Sequence, residues 1–426
     1  MTVSMRQRLL AVLSGVTLVM AGCGGGSSGD NGGATDVAAP SVVVPPLPTA
    51  GPFAVACSNV AQDFTKVAPG DDVQDYWEGV PSAGGAKRYA TDLLADPANT
   101  LTVHLAAPAD TNLFGSFAGQ QLAFVVLACY PTPTGNPRPD FPLPTGKMVP
   151  HMQTGSEPPL FADEAARYPI LVFSHGYSGS PLSNDYIAAL SVFASYGYVV
   201  VAPFHGDPRF TNLKVEDFGD AVTILSNLKD FTALQALRPL SLSSAIDLVT
   251  AHPQWRDHVD ATRIGGFGAS MGGESLLLMR NAGLTTSAGL SWTQVANDSR
   301  LKAAVGYVPY FGQPFLPAFG RDGHGLDNIT LPYLAIGGSA DTTAPMLMTE
   351  QGLGRLAGTR ELVELNGVKH GFDVPSTADI FTWSLVFLDA EVRGSAAARR
   401  QLATMASVAG GGDDHVILRY NGPAAP

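Results

Sequence analysis

The chain has 426 residues, 45% of them hydrophobic and only 15% charged, with 25 Lys+Arg against 37 Asp+Glu and a formal net charge of −12. That mix can fill a large core and excludes an intrinsically disordered chain, while the length allows about two or three domains. The acidic balance, with no cluster of Lys and Arg anywhere, excludes an extended nucleic-acid surface.

At the N-terminus, Arg6 and Arg8 precede an apolar run over 9–20, and Met20-Ala21-Gly22 lead into Cys23. The run is shorter than the roughly 20 residues that span a bilayer, so residues 1–22 read as a secretory signal. Small residues before a cysteine resemble a bacterial lipobox, with Met20 where Leu is preferred. On that resemblance Cys23 becomes the lipidated first residue of the mature chain; the plainer reading is an ordinary cleaved signal with Cys23 incidental. Removing 1–22 takes away two arginines and no acid, leaving 404 residues at −14. Export would let the two remaining cysteines, Cys57 and Cys129, form a disulfide; free buried thiols are the alternative. Residues 23–52, with glycines and serines over 24–29 and prolines over 45–48, read as a tether, and order is expected from near Phe53.

Residues 53–150 form an N-terminal extension with strand-like runs at 101–105 and 122–129. The stretch 131–150 has too many prolines for a helix or a central strand. From Tyr168 apolar runs of strand length alternate with helical patterns. The runs are 169–174, 198–203, 263–267, 301–308, 331–336 and 361–365; the helices are 184–196, 240–251, 274–280, 379–392 and 395–407. Strands apolar on both faces and alternating with helices imply an α/β fold: a mostly parallel, doubly wound sheet with helices on both sides, here over 151–410. The tail 411–426 carries one more strand-like run, 415–420.

The strongest chemical signal is Gly268-Ala269-Ser270-Met271-Gly272, between the 263–267 strand and the 274–280 helix. A serine on so sharp a turn needs glycines two residues to either side, so that strand and helix backbones can close in. In a chain with 47 glycines the pentapeptide alone could be a plain turn; its strand–turn–helix setting gives it meaning. Serine is a weak nucleophile and needs a base oriented by a third group. In this setting the acid and then the histidine follow the serine along the chain. Asp341, just past the 331–336 strand, is the candidate acid, ahead of Asp298, Asp322 and Asp327 in poorer contexts. His370, after the 361–365 strand, is the candidate base; His324 breaks the order and His415 lies in the tail. Acyl transfer also needs two N–H donors for a developing oxyanion. Met271, after the serine, is one candidate, and Tyr177 in Ser174-His175-Gly176-Tyr177-Ser178-Gly179 is the other. His175 reads as orienting that loop, and His205-Gly206-Asp207 reads as structural.

Together these pieces resemble the α/β-hydrolase superfamily, within it the bacterial dienelactone-hydrolase-like, platelet-activating-factor-acetylhydrolase-like and cutinase-like polyester hydrolase serine esterases. The residues behind this are Phe173-Ser174-His175-Gly176-Tyr177, Val259-Asp260-Ala261-Thr262-Arg263-Ile264, Gly268-Ala269-Ser270-Met271-Gly272-Gly273, Gly338-Ser339-Ala340-Asp341-Thr342-Thr343-Ala344-Pro345, His370-Gly371-Phe372 and Phe387-Leu388-Asp389-Ala390. The likeness covers about 165–407. It implies the α/β-hydrolase fold, with Ser270 as nucleophile, His370 as general base then acid, and Asp341 as orienting carboxylate. The chain departs from compact polyester hydrolases between Ser270 and Asp341, where 281–298 and 311–327 are candidates for a lid. Residues 53–150 also exceed the usual leading strands.

The expected activity is carboxylic-ester hydrolysis through an acyl-enzyme on Ser270, with a small-molecule, lipid or polymer ester as substrate. A lipase or polyesterase, an amidase or peptidase, or a carbon–carbon bond hydrolase on the same fold stands as the alternative, because a triad does not choose the scissile bond. A non-catalytic surface lipoprotein is the alternative of a different class. No cofactor is expected, and no metal, since no His pair or C-x-x-C has ligand spacing. The membrane would be met through the lipid anchor alone, in the cell envelope. Phe204, Phe210, Phe231, Phe311, Phe315 and Phe319 read either as lining an acyl groove or as plain core.

Overall fold

Strands buried at every position must be covered on both sides, and such strands form the centre of the sheet. The structure is a computed structural model that describes residues 41–61, 93–94, 96–154, 157–183, 186–206, 228–286, 291–313 and 316–422. Its main sheet has ten strands: β1 (Ala54–Cys57), β2 (Leu101–Ala106), β3 (Gln121–Thr132), β4 (Tyr168–Ser174), β5 (Val199–Pro203), β6 (Val259–Ala269), β7 (Leu301–Tyr307), β8 (Tyr333–Gly338), β9 (Arg360–Leu365) and β10 (Asp414–Tyr420). Their order is β10-β9-β8-β7-β6-β4-β5-β3-β1, with β2 also paired to β3. The six neighbouring strands β9, β8, β7, β6, β4 and β5 are parallel. β3 and β10 close the two sides in antiparallel fashion.

Every residue of β4 and of β5 is buried. Successive side chains of a strand point to opposite faces, so both faces need cover. On one face Ile170, Val172, Val199 and Val201 pack with Phe231 and Leu234 of α2 (Leu228–Ala251) and with Leu276 of α3 (Met271–Met279). On the other face Leu171, Phe173, Val200 and Ala202 meet Leu190 of α1 (Tyr186–Ser195) and Phe381 of α5 (Thr377–Glu391). Burying each such side chain stabilises by roughly 1.5–3 kcal/mol. The remaining helices are α4 (Met346–Arg355) and α6 (Ala396–Thr404).

The order of the strands places the site. From β4 the chain moves to β5 on one side, then returns to β6 on the other side of β4. Connections that diverge in this way leave a crevice beyond the carboxyl ends of β4 and β6, where open α/β sheets bind ligands.

Several elements depart from the sequence-based expectation. α2 begins at Leu228, twelve residues before the expected start at 240, and runs through Pro239. Proline removes one helical hydrogen bond, but the buried face formed by Phe231, Leu234, Leu237 and Leu242 holds the helix on both sides of it. Val42–Val44, inside the segment read as tether, is a strand parallel to Met405–Val408, which therefore ends α6 at Thr404 instead of near 407. Of the stretch 131–150, Pro131 and Thr132 extend β3 against Val55 and Ala54, and beyond them lies a two-residue ladder, Phe141–Pro142 with Met148–Val149. The lid candidates form short ladders, Gly283–Thr286 with Ser291–Gln294 and Gly312–Gln313 with Leu316–Pro317. They are knit together by Thr285 N–H to Ala318 O and by Gly320 N–H to Thr285 Oγ1. The leader 1–22, Cys23 and the rest of the tether to residue 40 lie outside the described residues, as do Asp207, Phe210 and Phe315.

Cys57 and Cys129 face each other across β1 and β3 and form a disulfide that closes a loop of sequence separation 72. Such a bridge stabilises mainly by restricting the unfolded chain, by roughly 2–4 kcal/mol. Replacing both cysteines with serine is expected to lower the unfolding free energy by about that amount in non-reducing buffer, read as a lower denaturant midpoint. An unchanged midpoint would mean that the bridge adds nothing to the sheet.

Candidate active site

Ser270 sits between β6 and α3 with φ of 53°, a left-handed conformation that costs a side-chain-bearing residue about 1–3 kcal/mol unless its surroundings hold it there. The surroundings are backbone. A Cβ at Gly268 would lie 2.3 Å from the Gly272 carbonyl, and one at Gly272 would lie 1.9 Å from Ser174 O. Only glycine allows this turn to close against the end of β4. The Ser270 N–H donates to Tyr307 O at 3.0 Å, tying the turn to β7.

His370 follows β9, and Asp341 follows β8. His370 Nε2 lies 3.0 Å from Ser270 Oγ, and its Nδ1 lies 2.7 Å from Asp341 Oδ2. A carboxylate can only accept, so Nδ1 carries the proton and Nε2 is left to accept from the serine hydroxyl. The Asp341 side chain is fully buried, whereas that of His370 is 25% exposed, so the histidine faces the solvent side and the acid does not. Asp341 Oδ1 accepts the Thr343 and Ala344 N–H groups, both at 2.8 Å. The competing residues are engaged elsewhere: Asp298 with Arg300, Asp327 with His324 and Arg355, and His415 with Glu364. Asp322 is exposed.

Two residues that the sequence reading passed over hold these loops. The Tyr307 hydroxyl donates to Gly371 O at 2.7 Å and accepts the Asp373 N–H at 3.2 Å, bracing the turn after His370. Burial holds that phenol above its usual range, so it remains a donor. Gln313 Nε2 donates to Thr342 O and Thr343 O, just beyond Asp341. Neither carries a local motif; each acts across tens of residues.

Met271 heads α3, where the first N–H groups of a helix have no intrahelical acceptor. On the opposite side Gly176 stands against the serine; a Cβ there would lie 3.6 Å from Ser270 Cβ. Tyr177 comes next, its half-buried ring packed on Phe231 at 5.7 Å. Phe204, Phe231, Phe311 and Phe319 are all core residues.

Beneath the 174–179 loop lies a buried polar network. His205 donates its backbone N–H to His175 Nε2 at 3.1 Å, so His175 must donate its Nδ1 proton to Gly176 O at 2.8 Å. The Ser241 hydroxyl donates to Arg238 O, so it accepts from His205 Nδ1 at 3.0 Å, leaving His205 Nε2 to accept from Ser174 Oγ at 2.9 Å. Burial first, and the charge of Arg238 second, hold both imidazoles well below their ordinary range, so both are neutral. Among the described residues no group of three or more His, Cys, Asp and Glu is placed to hold a metal ion.

Glu274, one turn along α3 from the serine, is fully buried, and its Oε2 has no hydrogen-bond partner. Burial pushes its carboxyl up to about 8. An unfolded glutamate ionises near pH 4.3 (about). Between about pH 4.3 and 8 the unfolded chain has lost a proton that the folded chain keeps, so stability falls as pH rises through that window. Glu274→Gln removes this titration. Its melting temperature is expected to exceed that of the parent by several degrees at pH 8, the gap narrowing towards pH 4.5. A gap independent of pH would contradict the assignment.

A protein-family model described as platelet-activating factor acetylhydrolase, isoform II, matches residues 146–215. The matched stretch holds β4, the 174–179 loop, α1 and β5, and it ends before Ser270, Asp341 and His370. It supports the likeness to platelet-activating-factor-acetylhydrolase-like serine esterases, and that family is one of ester-hydrolysing enzymes. No curated protein matches the chain.

Proposed function

We propose that this chain is an exported serine carboxylic-ester hydrolase of the α/β-hydrolase fold, working through an acyl-enzyme on Ser270. The observation that carries the reading is the single imidazole of His370 set between Ser270 Oγ at 3.0 Å and Asp341 Oδ2 at 2.7 Å. A serine held in a left-handed turn at the sheet's switch point supports it further.

In this reading Ser270 Oγ attacks the ester carbonyl carbon while His370 Nε2 takes the hydroxyl proton. Negative charge then develops on the carbonyl oxygen, where the Met271 and Tyr177 N–H groups stabilise it. Collapse breaks the bond to the leaving alkoxide, which takes the proton from His370. Water enters, gives its proton to the same nitrogen and attacks the acyl carbon; collapse releases the acid and returns the proton to Ser270. Asp341 keeps the imidazole in the correct tautomer and stabilises the imidazolium, as in other triads. Export and attachment through a lipid on Cys23 rest on Arg6, Arg8, the apolar run and Met20-Ala21-Gly22.

Ser270→Ala is expected to abolish p-nitrophenyl ester turnover and leave the thermal melt in place. Turnover retained within about tenfold of the parent would remove Ser270 from the reaction, because losing a triad nucleophile costs on the order of 10⁶ in kcat.

A further inference from the structure

Helix α2 is apolar along its buried length, with Phe231, Leu234, Leu237, Leu242 and Ile246 in the core. Set into that surface are Gln235, Arg238 and Ser241, all buried. Residues three apart share one side of a helix, so they form a polar stripe. Gln235 Nε2 donates to Glu274 Oε1 on α3 at 2.7 Å, and Ser241 accepts from His205. Arg238, at 1% exposure, donates Nη1 to His175 O at 2.7 Å and Nη2 to Gly176 O at 3.0 Å. Burying a guanidinium is costly unless its donors are used. Here two of them go to successive carbonyls of the loop that precedes Tyr177.

Peptide geometry supplies the consequence. In a planar trans peptide the N–H points opposite to the C=O, and the described residues contain no cis bond. The Gly176 carbonyl accepts from Arg238, from His175 Nδ1 at 2.8 Å and from Gly179 N–H at 3.2 Å, all beneath or within the loop. The N–H of that same peptide belongs to Tyr177, and it is thereby turned away from Arg238. A glycine on one side of the peptide removes the usual steric barrier to its flipping. Flipped, the Tyr177 N–H would face the interior, where no substrate oxygen can reach it.

We infer that Arg238 is a positioning residue for ester hydrolysis, clamping the His175 and Gly176 carbonyls so that the peptide bearing the Tyr177 N–H keeps the orientation that the oxyanion needs. The inference rests on the serine-esterase reading above. It places part of the oxyanion site's rigidity on α2, a helix that contributes none of Ser270, Asp341 or His370. Polar residues at 235, 238 and 241 in an apolar helix are the signal from which the sequence could have disclosed it.

The test compares Arg238→Met, which keeps the stem and removes the donors, with Arg238→Lys, which keeps a charge and fewer donors. Active sites are counted by fluorophosphonate labelling, and kcat is expressed per labelled site. The Met variant is expected to lose about 100-fold in kcat, the scale of one oxyanion donor, with KM within about threefold. The Lys variant is expected to recover about tenfold of that loss. A trifluoromethyl ketone, which forms an anionic hemiketal on serine, should lose affinity in step with kcat/KM. A purely structural arginine would lower the melting temperature and the labelled fraction while leaving kcat per site and ketone affinity unchanged, and that result overturns the inference. Should the Met variant not fold, the Lys variant decides alone by the same two readouts. Failure of the parent protein to label at Ser270 would instead overturn the esterase reading itself.

Discussion

The closest approach in the site is backbone against backbone: Gly272 against the carbonyl of Ser174, where α3 leaves β6 and touches the end of β4. There is no room for a single methyl group. That approach fixes the left-handed turn at Ser270, aims α3 at the crevice and presses the 174–179 loop against the serine. It is available only at the switch point, where β4 and β6 are neighbours and their outgoing connections part. A substitution at Gly272 would therefore disturb serine, helix and loop together.

Around that point, each loop of the site is fastened to the body by a residue from another element. Tyr307 of β7 braces the turn after His370, Gln313 braces the turn after Asp341, and Arg238 of α2 holds the turn before Tyr177. Loops on their own would leave catalytic groups an ångström or more loose, and displacements of that size cost orders of magnitude in rate. The buried polar network is thus less a contribution to stability than a means of holding geometry. Glu274 shows the cost: a carboxyl with one oxygen unpartnered, kept neutral by burial beside a charged Arg238.

Much of the sheet was legible because its strands are covered on both faces and so appear as unbroken apolar runs, as in β4 and β5. That Ser270, Asp341 and His370 come together was legible because each follows such a run within a few residues, where local order in the chain translates into position at one sheet end. What was not legible depends on partners distant in sequence. The strand Val42–Val44 is three valines beside a proline-rich stretch, too short to read as a strand alone, and exists through Met405–Val408. The first half of α2 was hidden by Pro239, whose missing hydrogen bond is outweighed by packing that only the fold supplies. Tyr307 and Gln313 look like ordinary polar punctuation until the chain closes on them.

The central claim is that Ser270 carries the acyl group between two chemical steps. Rapid mixing with a p-nitrophenyl ester, followed by acid quench and peptide mass analysis, tests it directly. The expected result is a burst of nitrophenol approaching one equivalent of enzyme, with the acyl mass on the peptide containing Ser270. Release of product with no burst and no acylated peptide, using an ester whose deacylation is slow, would contradict it.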